Sequence, residues 1–129
     1  MARFTSDHIH LRSADPEAAA RYYAEMFGAT EKGRVLNGEA LRVILDLGGL
    51  TLFVEQVPAT TPAAPPPPFL GIEHIGLAVT GMDEVVRELK AKGAVFVVEP
   101  TYARPDIRIA FIQGPDNVRI EILERLQAA

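Results

Sequence analysis

The sequence predicts an α+β fold made of two tandem βαβββ modules. Three observations carry that prediction. Two stretches, 6–28 and 71–93, each open with an acid-His-Ile triplet, continue as a short alternating apolar run and enter an amphipathic helix closed by glycine. Three strand signals follow each helix. Between the halves lies PATTPAAPPPPFLG (58–71), whose four consecutive prolines cannot enter a sheet interior and favour an extended polyproline spacer. The expected organisation is therefore a first module over 1–57, a proline-rich linker over 58–71 and a second module over 72–129, curving as a mixed sheet or half-barrel around a central site.

In the first module Asp15 suits a helix N-cap, Pro16 the first helical position and Glu17 the positive end of the helix dipole. Ala19, Tyr22, Tyr23, Met26 and Phe27 recur at helical spacing, and Gly28 ends the helix. Strands are expected near 30–36, 40–47 and 50–57, with turns at Asn37-Gly38 and Gly48-Gly49. In the second module Met82, Val85, Val86 and Leu89 form the helix stripe. Strands are expected near 94–99, 107–113 and 117–124, the last pair joined by a Gly114-Pro115-Asp116-Asn117 turn in which Asn117 takes the left-handed position.

Composition bounds the function. The chain has 129 residues, 48% hydrophobic and 23% charged, an ordinary balance for a globular domain. Thirteen basic against seventeen acidic residues leave a net charge of −4, which argues against general binding to nucleic acid or anionic membranes. With no cysteine, disulfides, zinc-thiolate sites and thiol nucleophiles are excluded. No apolar leader or spanning run is visible, so the expected location is cytoplasmic.

The interval from His8 to Glu55 equals that from His74 to Glu121, 47 residues in each. A constant shift of 66 between halves also maps Arg42 onto Arg108 and Gly48 onto Gly114. Strand alternation puts His8, His10 and Arg12 on one face and Ile9 and Leu11 on the other. The same rule separates His74 from Ile75, Phe53 and Glu55 from Val54, and Glu121 from Ile120 and Ile122. The apolar faces should pack on the helices, leaving one imidazole and one carboxylate per module on the opposite face. If a pseudo-two-fold axis relates the modules, two imidazoles and two carboxylates can converge as an N₂O₂ set suited to Zn, Ni, Co, Mn or Fe. A lone His or Glu in a strand is more often a solvated or structural polar residue. Duplication can copy such a pair, so the two halves are not independent witnesses.

The His…Glu…His…Glu order in paired βαβββ units resembles the vicinal oxygen chelate superfamily, which includes glyoxalase I, epimerases, extradiol dioxygenases and resistance proteins. The residues that carry the resemblance are His8-Ile9-His10-Leu11-Arg12 with Asp15, Tyr22-Tyr23, Phe27-Gly28, Glu73-His74-Ile75 and the run Gly114 to Glu121. Within the family the pattern is most similar to glyoxalase I (lactoylglutathione lyase). That resemblance implies metal ligands at His8, Glu55, His74 and Glu121, and a small substrate whose neighbouring oxygens chelate the ion. A glutamate, Glu121 or else Glu55, would move a proton between adjacent carbons of an enediolate. Arg12 and His10 are candidate substrate contacts, and Phe53 and Phe111 candidate pocket walls. A homodimer is expected, with modules paired within one chain or exchanged between two. The departures concern glutathione: Ala59 stands where glyoxalase I carries an asparagine that holds it, so a glutathione or other thiol adduct remains an open choice of substrate. Other readings are an epimerase or dioxygenase, or a metal-free small-molecule binding protein of the bleomycin-resistance type.

Overall fold

The computed structural model describes residues 3–127. The chain divides into two compact units, Met1–Pro62 and Ala63–Ala129, and the division falls inside the proline-rich segment. Each unit is a βαβββ module.

In the first, β1 (Ile9–Ser13) leads to α1 (Pro16–Phe27), then β2 (Thr30–Asn37), β3 (Ala40–Leu47) and β4 (Leu50–Gln56). The sheet order is β1-β4-β3-β2, with β1 parallel to β4 and the other pairs antiparallel. The Asp15 carboxylate accepts the Ala18 N–H at 3.1 Å, as an N-cap should. At the other end Gly28 is left-handed at φ 73°, and its N–H reaches the Ala24 carbonyl at 3.0 Å. Val43, Leu45 and Leu47 of β3 and Leu52 and Val54 of β4 share one face, buried together with Ala19, Ala20 and Tyr23 of α1. The Gly48-Gly49 loop has positive φ at both residues, as a tight type I′ hairpin requires. The preceding hairpin turns on Gly38-Glu39, one residue later than the sequence suggests. Asn37 is the last residue of β2, paired with Ala40.

In the second module β5 (Ile75–Ala78), α2 (Met82–Ala91), β6 (Phe96–Arg104), β7 (Ile107–Gln113) and β8 (Arg119–Arg125) follow in order, with a 3₁₀ turn at Pro115–Asn117. The sheet order β5-β8-β7-β6 repeats that of the first module. Ala110, Ile112, Ile120 and Ile122 form the buried face of the sheet, and Met82, Val86 and Leu89 are the buried stripe of α2. The α2 N-terminus has no side-chain cap of its own. Glu124 of β8 supplies one, accepting the Gly81 and Met82 N–H groups at 2.7 and 3.1 Å. β6 runs five residues past its expected end. It passes through Pro100, which an edge strand with bulges tolerates. Asp116 as well as Asn117 is left-handed in the last turn. Both sheets are open and neither closes into a barrel. Among the described residues no helix is long and apolar enough to cross a membrane.

Candidate functional site

The polar faces fall where strand alternation puts them. In the first module the parallel register pairs His10 with Phe53 and Arg12 with Glu55, and the antiparallel register pairs Arg42 with Glu55. Residues so paired project from the same face. His10, Arg12, Arg42, Phe53 and Glu55 therefore share the face turned away from α1. In the second module the register pairs Gly76 with Glu121 and Phe111 with Glu121. This gives His74, Phe111, Arg119 and Glu121 a common face.

The level of each residue along its strand departs from the equal spacing in the sequence. His74 stands two residues before the residue that faces Glu121, and the first-module residue in that place relative to Glu55 is His10, not His8. Accordingly His74 Nε2 lies 3.4 Å from Glu121 Oε1, and His10 Nε2 lies 3.9 Å from Glu55 Oε1. His8 sits one step further along. Its ring stacks on Phe53 with centroids 3.8 Å apart and its Nδ1 is 2.6 Å from Asp7 Oδ2. The shift of 66 fails on the next strand as well. The β3–β4 loop has two residues and the β7–β8 connection five, so Phe111, not Arg108, occupies the place of Arg42. Arg108 belongs to the helix side, where it pairs with Asp83 of α2 at 3.0 Å.

The offset exchanges two side chains between the modules. Arg42 on β3 lies 4.8 Å from the centre of the Phe53 ring on β4, whereas Phe111 on β7 lies under Arg119 on β8 at 4.4 Å. Each module keeps a guanidinium over an aromatic ring beside its glutamate, with the partners on opposite strands. The consequence for charge is large. In the first module Arg42 donates from Nε and from NH2 to Glu55 Oε1, both at 2.7 Å, and Asn37 Nδ2 adds a bond at 3.1 Å. The guanidinium first, and then the Asn37 amide, hold the Glu55 carboxyl below the usual carboxylate range. In the second module Arg119 instead donates to Glu73 Oε1 at 2.7 Å, leaving Glu121 with His74. The other Glu73 oxygen bonds His74 Nδ1.

These arrangements bear on whether a divalent ion fits. An imidazole held at Nδ1 by a carboxylate, with Nε2 directed at a second carboxylate, is the usual support of a metal-ligating histidine. The 3.4 Å between His74 Nε2 and Glu121 Oε1 suits two donors to one cation, each bonding at about 2.0–2.2 Å. The second module's pair fits. Glu55 fits less well, because Arg42 already neutralises it. Among the described residues no group of three or more acidic or imidazole side chains is gathered as a metal cage. Arg12, exposed and level with Glu55, makes no ion pair among the described residues. Arg42, Asn37, Glu73 and Arg119 join the site through side-chain contacts that strand alternation alone does not specify. The repeated acid before each histidine, Asp7-His8 and Glu73-His74, was the available signal for Glu73.

Comparison with known proteins agrees with this architecture. The family model of the Glyoxalase/Bleomycin resistance protein/Dioxygenase superfamily matches residues 5–122, and the chain belongs to that superfamily. Among solved structures, a glyoxylase/bleomycin resistance protein/dioxygenase domain from Frankia sp. EAN1pec is 21% identical, with 99% of this chain and 96% of that one covered and a TM-score of 0.80. A glyoxalase I variant from Zea mays is 20% identical over 93% of this chain and 44% of its own, with a TM-score of 0.76. A fosfomycin resistance protein from Listeria monocytogenes is 17% identical, covering 95% of this chain and 94% of that one, at a TM-score of 0.74. No curated protein matches the chain. At these identities the likeness concerns the fold, and the superfamily joins enzymes to resistance proteins.

Proposed function

We propose that the chain is a divalent-metal-dependent lyase or isomerase of the glyoxalase I kind, acting on a small substrate with two neighbouring oxygens. The observation that carries the reading is the His74–Glu121 pair, 3.4 Å apart, with Glu73 fixing the histidine from behind. His74 and Glu121 would hold the ion, with His8 and Glu55 proposed as the further donors, although within the first sheet it is His10 that takes the place of His74 beside Glu55. A bound divalent ion contributes Lewis acidity toward a chelating oxygen. Glu121, with 16% of its side chain exposed and set between His74 and Phe111, is the proposed carrier of the proton, and Glu55 is its alternate. For Glu55 to take either role, Arg42 has to turn away from it. Arg12, His10, Phe53 and Phe111 are the proposed substrate contacts. A thiol adduct as substrate, a homodimer, a cytoplasmic location and a linker over 58–71 belong to the same proposal.

Calorimetric titration of the purified chain with Ni²⁺, together with elemental analysis, tests it. About one ion per chain is expected, and His74→Ala should weaken binding at least about tenfold. Equal metal content in that variant removes the assignment. One observation favours a second reading, a metal-free small-molecule binding protein: the Arg42 clamp on Glu55 already supplies the positive charge that a metal would bring. Absence of measurable Ni²⁺ or Zn²⁺ affinity would select it.

A further inference from the structure

The second module contains a cavity of about 600 Å³ apart from the His74–Glu121 contact. Its lining has two sources. The proline segment contributes Pro65 to Pro68 and Phe69, and the sheet contributes Val97 and Val98 of β6. The polar end is made by Gln113, Asn117, Glu73 and Arg119. All of these residues belong to the same compact unit.

The volume is that of a small-molecule pocket, which typically measures roughly 300–1,000 Å³ with apolar walls and a few convergent polar groups. The chemistry of the walls narrows the occupant. Proline rings pack well on aromatic faces, the interaction by which proline-rich segments dock on aromatic grooves. Here four prolines and the Phe69 ring make one apolar wall, whose flat faces suit a planar ring packed against them. The charges at the polar end cancel, because Arg119 NH1 already donates to Glu73 Oε1 at 2.7 Å. Binding an anion on Arg119 would set it against Glu73, and binding a cation on Glu73 would set it against Arg119. Gln113 Nε2 donates to Asn117 Oδ1 at 3.2 Å, which holds the Asn117 side chain at this end with its own amide N–H groups as neutral donors.

We propose that this cavity binds an uncharged, ring-bearing small molecule with a hydrogen-bonding oxygen at one end. The proline segment is then a wall of a binding site as well as a spacer between modules. Glu73 connects the cavity to His74, since one of its oxygens faces Arg119 and the other holds the imidazole. A ligand at the polar end therefore lies one side chain from His74. This inference rests on the second module alone and requires no metal.

The test uses the full chain, stripped of metal with a chelator, and 2-naphthol as probe. The chain has no tryptophan, so naphthol fluorescence is read without indole background. Saturable binding is expected, with amide NMR shifts concentrated at Phe69, Val97, Val98, Gln113 and Asn117 and a smaller one at His74. Val97→Asp and Phe69→Ala should each weaken binding about tenfold, the first by a charge and the second by loss of a wall. Val97 and Phe69 are 48% and 38% exposed, so both variants should keep the parent's circular dichroism. Unsaturable binding, unchanged affinity in both folded variants, or tighter binding of 2-naphthoate than of 2-naphthol would overturn the proposal. The metal titration is a separate readout. Loss of Ni²⁺ binding in His74→Ala with naphthol affinity intact would leave the cavity assignment standing, whatever the catalytic reading.

Discussion

Gly114 opens the connection between β7 and β8, and its backbone, at φ −90° and ψ −179°, is one that any residue adopts. Its requirement for glycine is spatial. A Cβ placed there would stand 2.8 Å from Ile120 Cδ1 and 2.8 Å from the Val118 carbonyl oxygen. Neither neighbour can withdraw easily. Ile120 is fully buried, and the Val118 carbonyl is pinned by the Gly114 N–H itself, at 2.8 Å. Gly114→Ala thus overpacks the core or breaks the bond that closes the turn, at a cost of about 2 kcal/mol. For a urea slope of about 1.5 kcal/mol/M this lowers the unfolding midpoint by about 1.3 M. The assay is urea unfolding followed by far-ultraviolet circular dichroism, with Gly76→Ala as comparison. At Gly76 the nearest atoms to an added Cβ are Glu121 Oε1 at 3.5 Å and Leu123 Cδ2 at 3.9 Å, ordinary contacts. Gly76→Ala should stay within about 0.5 kcal/mol of the parent, because the same change also restricts the unfolded chain. A Gly114→Ala midpoint within about 0.3 M of the parent's would refute the steric argument.

Two further outcomes concern the helix starts. The Gly81 and Met82 N–H groups hold the Glu124 carboxyl below its ordinary range, so its contribution is fully present above the unfolded-state pKa and is lost as pH falls through the lower folded value. Between pH 6 and pH 3 the parent should therefore lose more stability than Glu124→Gln, as read by thermal melts across that range; parallel losses would contradict the cap. Asp15→Ala should cost about 1 kcal/mol through the lost bond to the Ala18 N–H, measured by hydrogen exchange in the first turn of α1, and an unchanged exchange rate there would count against it.

The type and order of the elements, and the face of each strand residue, were legible in local patterns, though the end of β6 and the first hairpin turn were not. Asp15-Pro16-Glu17 marked the start of α1, Gly28 its end, and Gly48-Gly49 a hairpin. Alternation placed His10, Phe53 and Glu55 opposite Val54, and His74 and Glu121 opposite Ile75 and Ile120. These are local properties: a two-residue period decides which way a side chain projects without reference to any other strand. Position along the strand is a tertiary property, decided by which N–H meets which carbonyl on the neighbour and by the length of the connecting turn. Equal intervals in the chain therefore did not become equal levels in the sheets. Tertiary pairing put His10 in the place expected for His8, exchanged Arg42 for Phe111 beside the glutamates, and gave Glu55 a guanidinium while leaving Glu121 to His74. The Glu124 cap on α2, reaching across some forty residues, was equally invisible in sequence, as was the packing of the proline segment around a cavity. Both arise from contacts between segments that no local pattern relates.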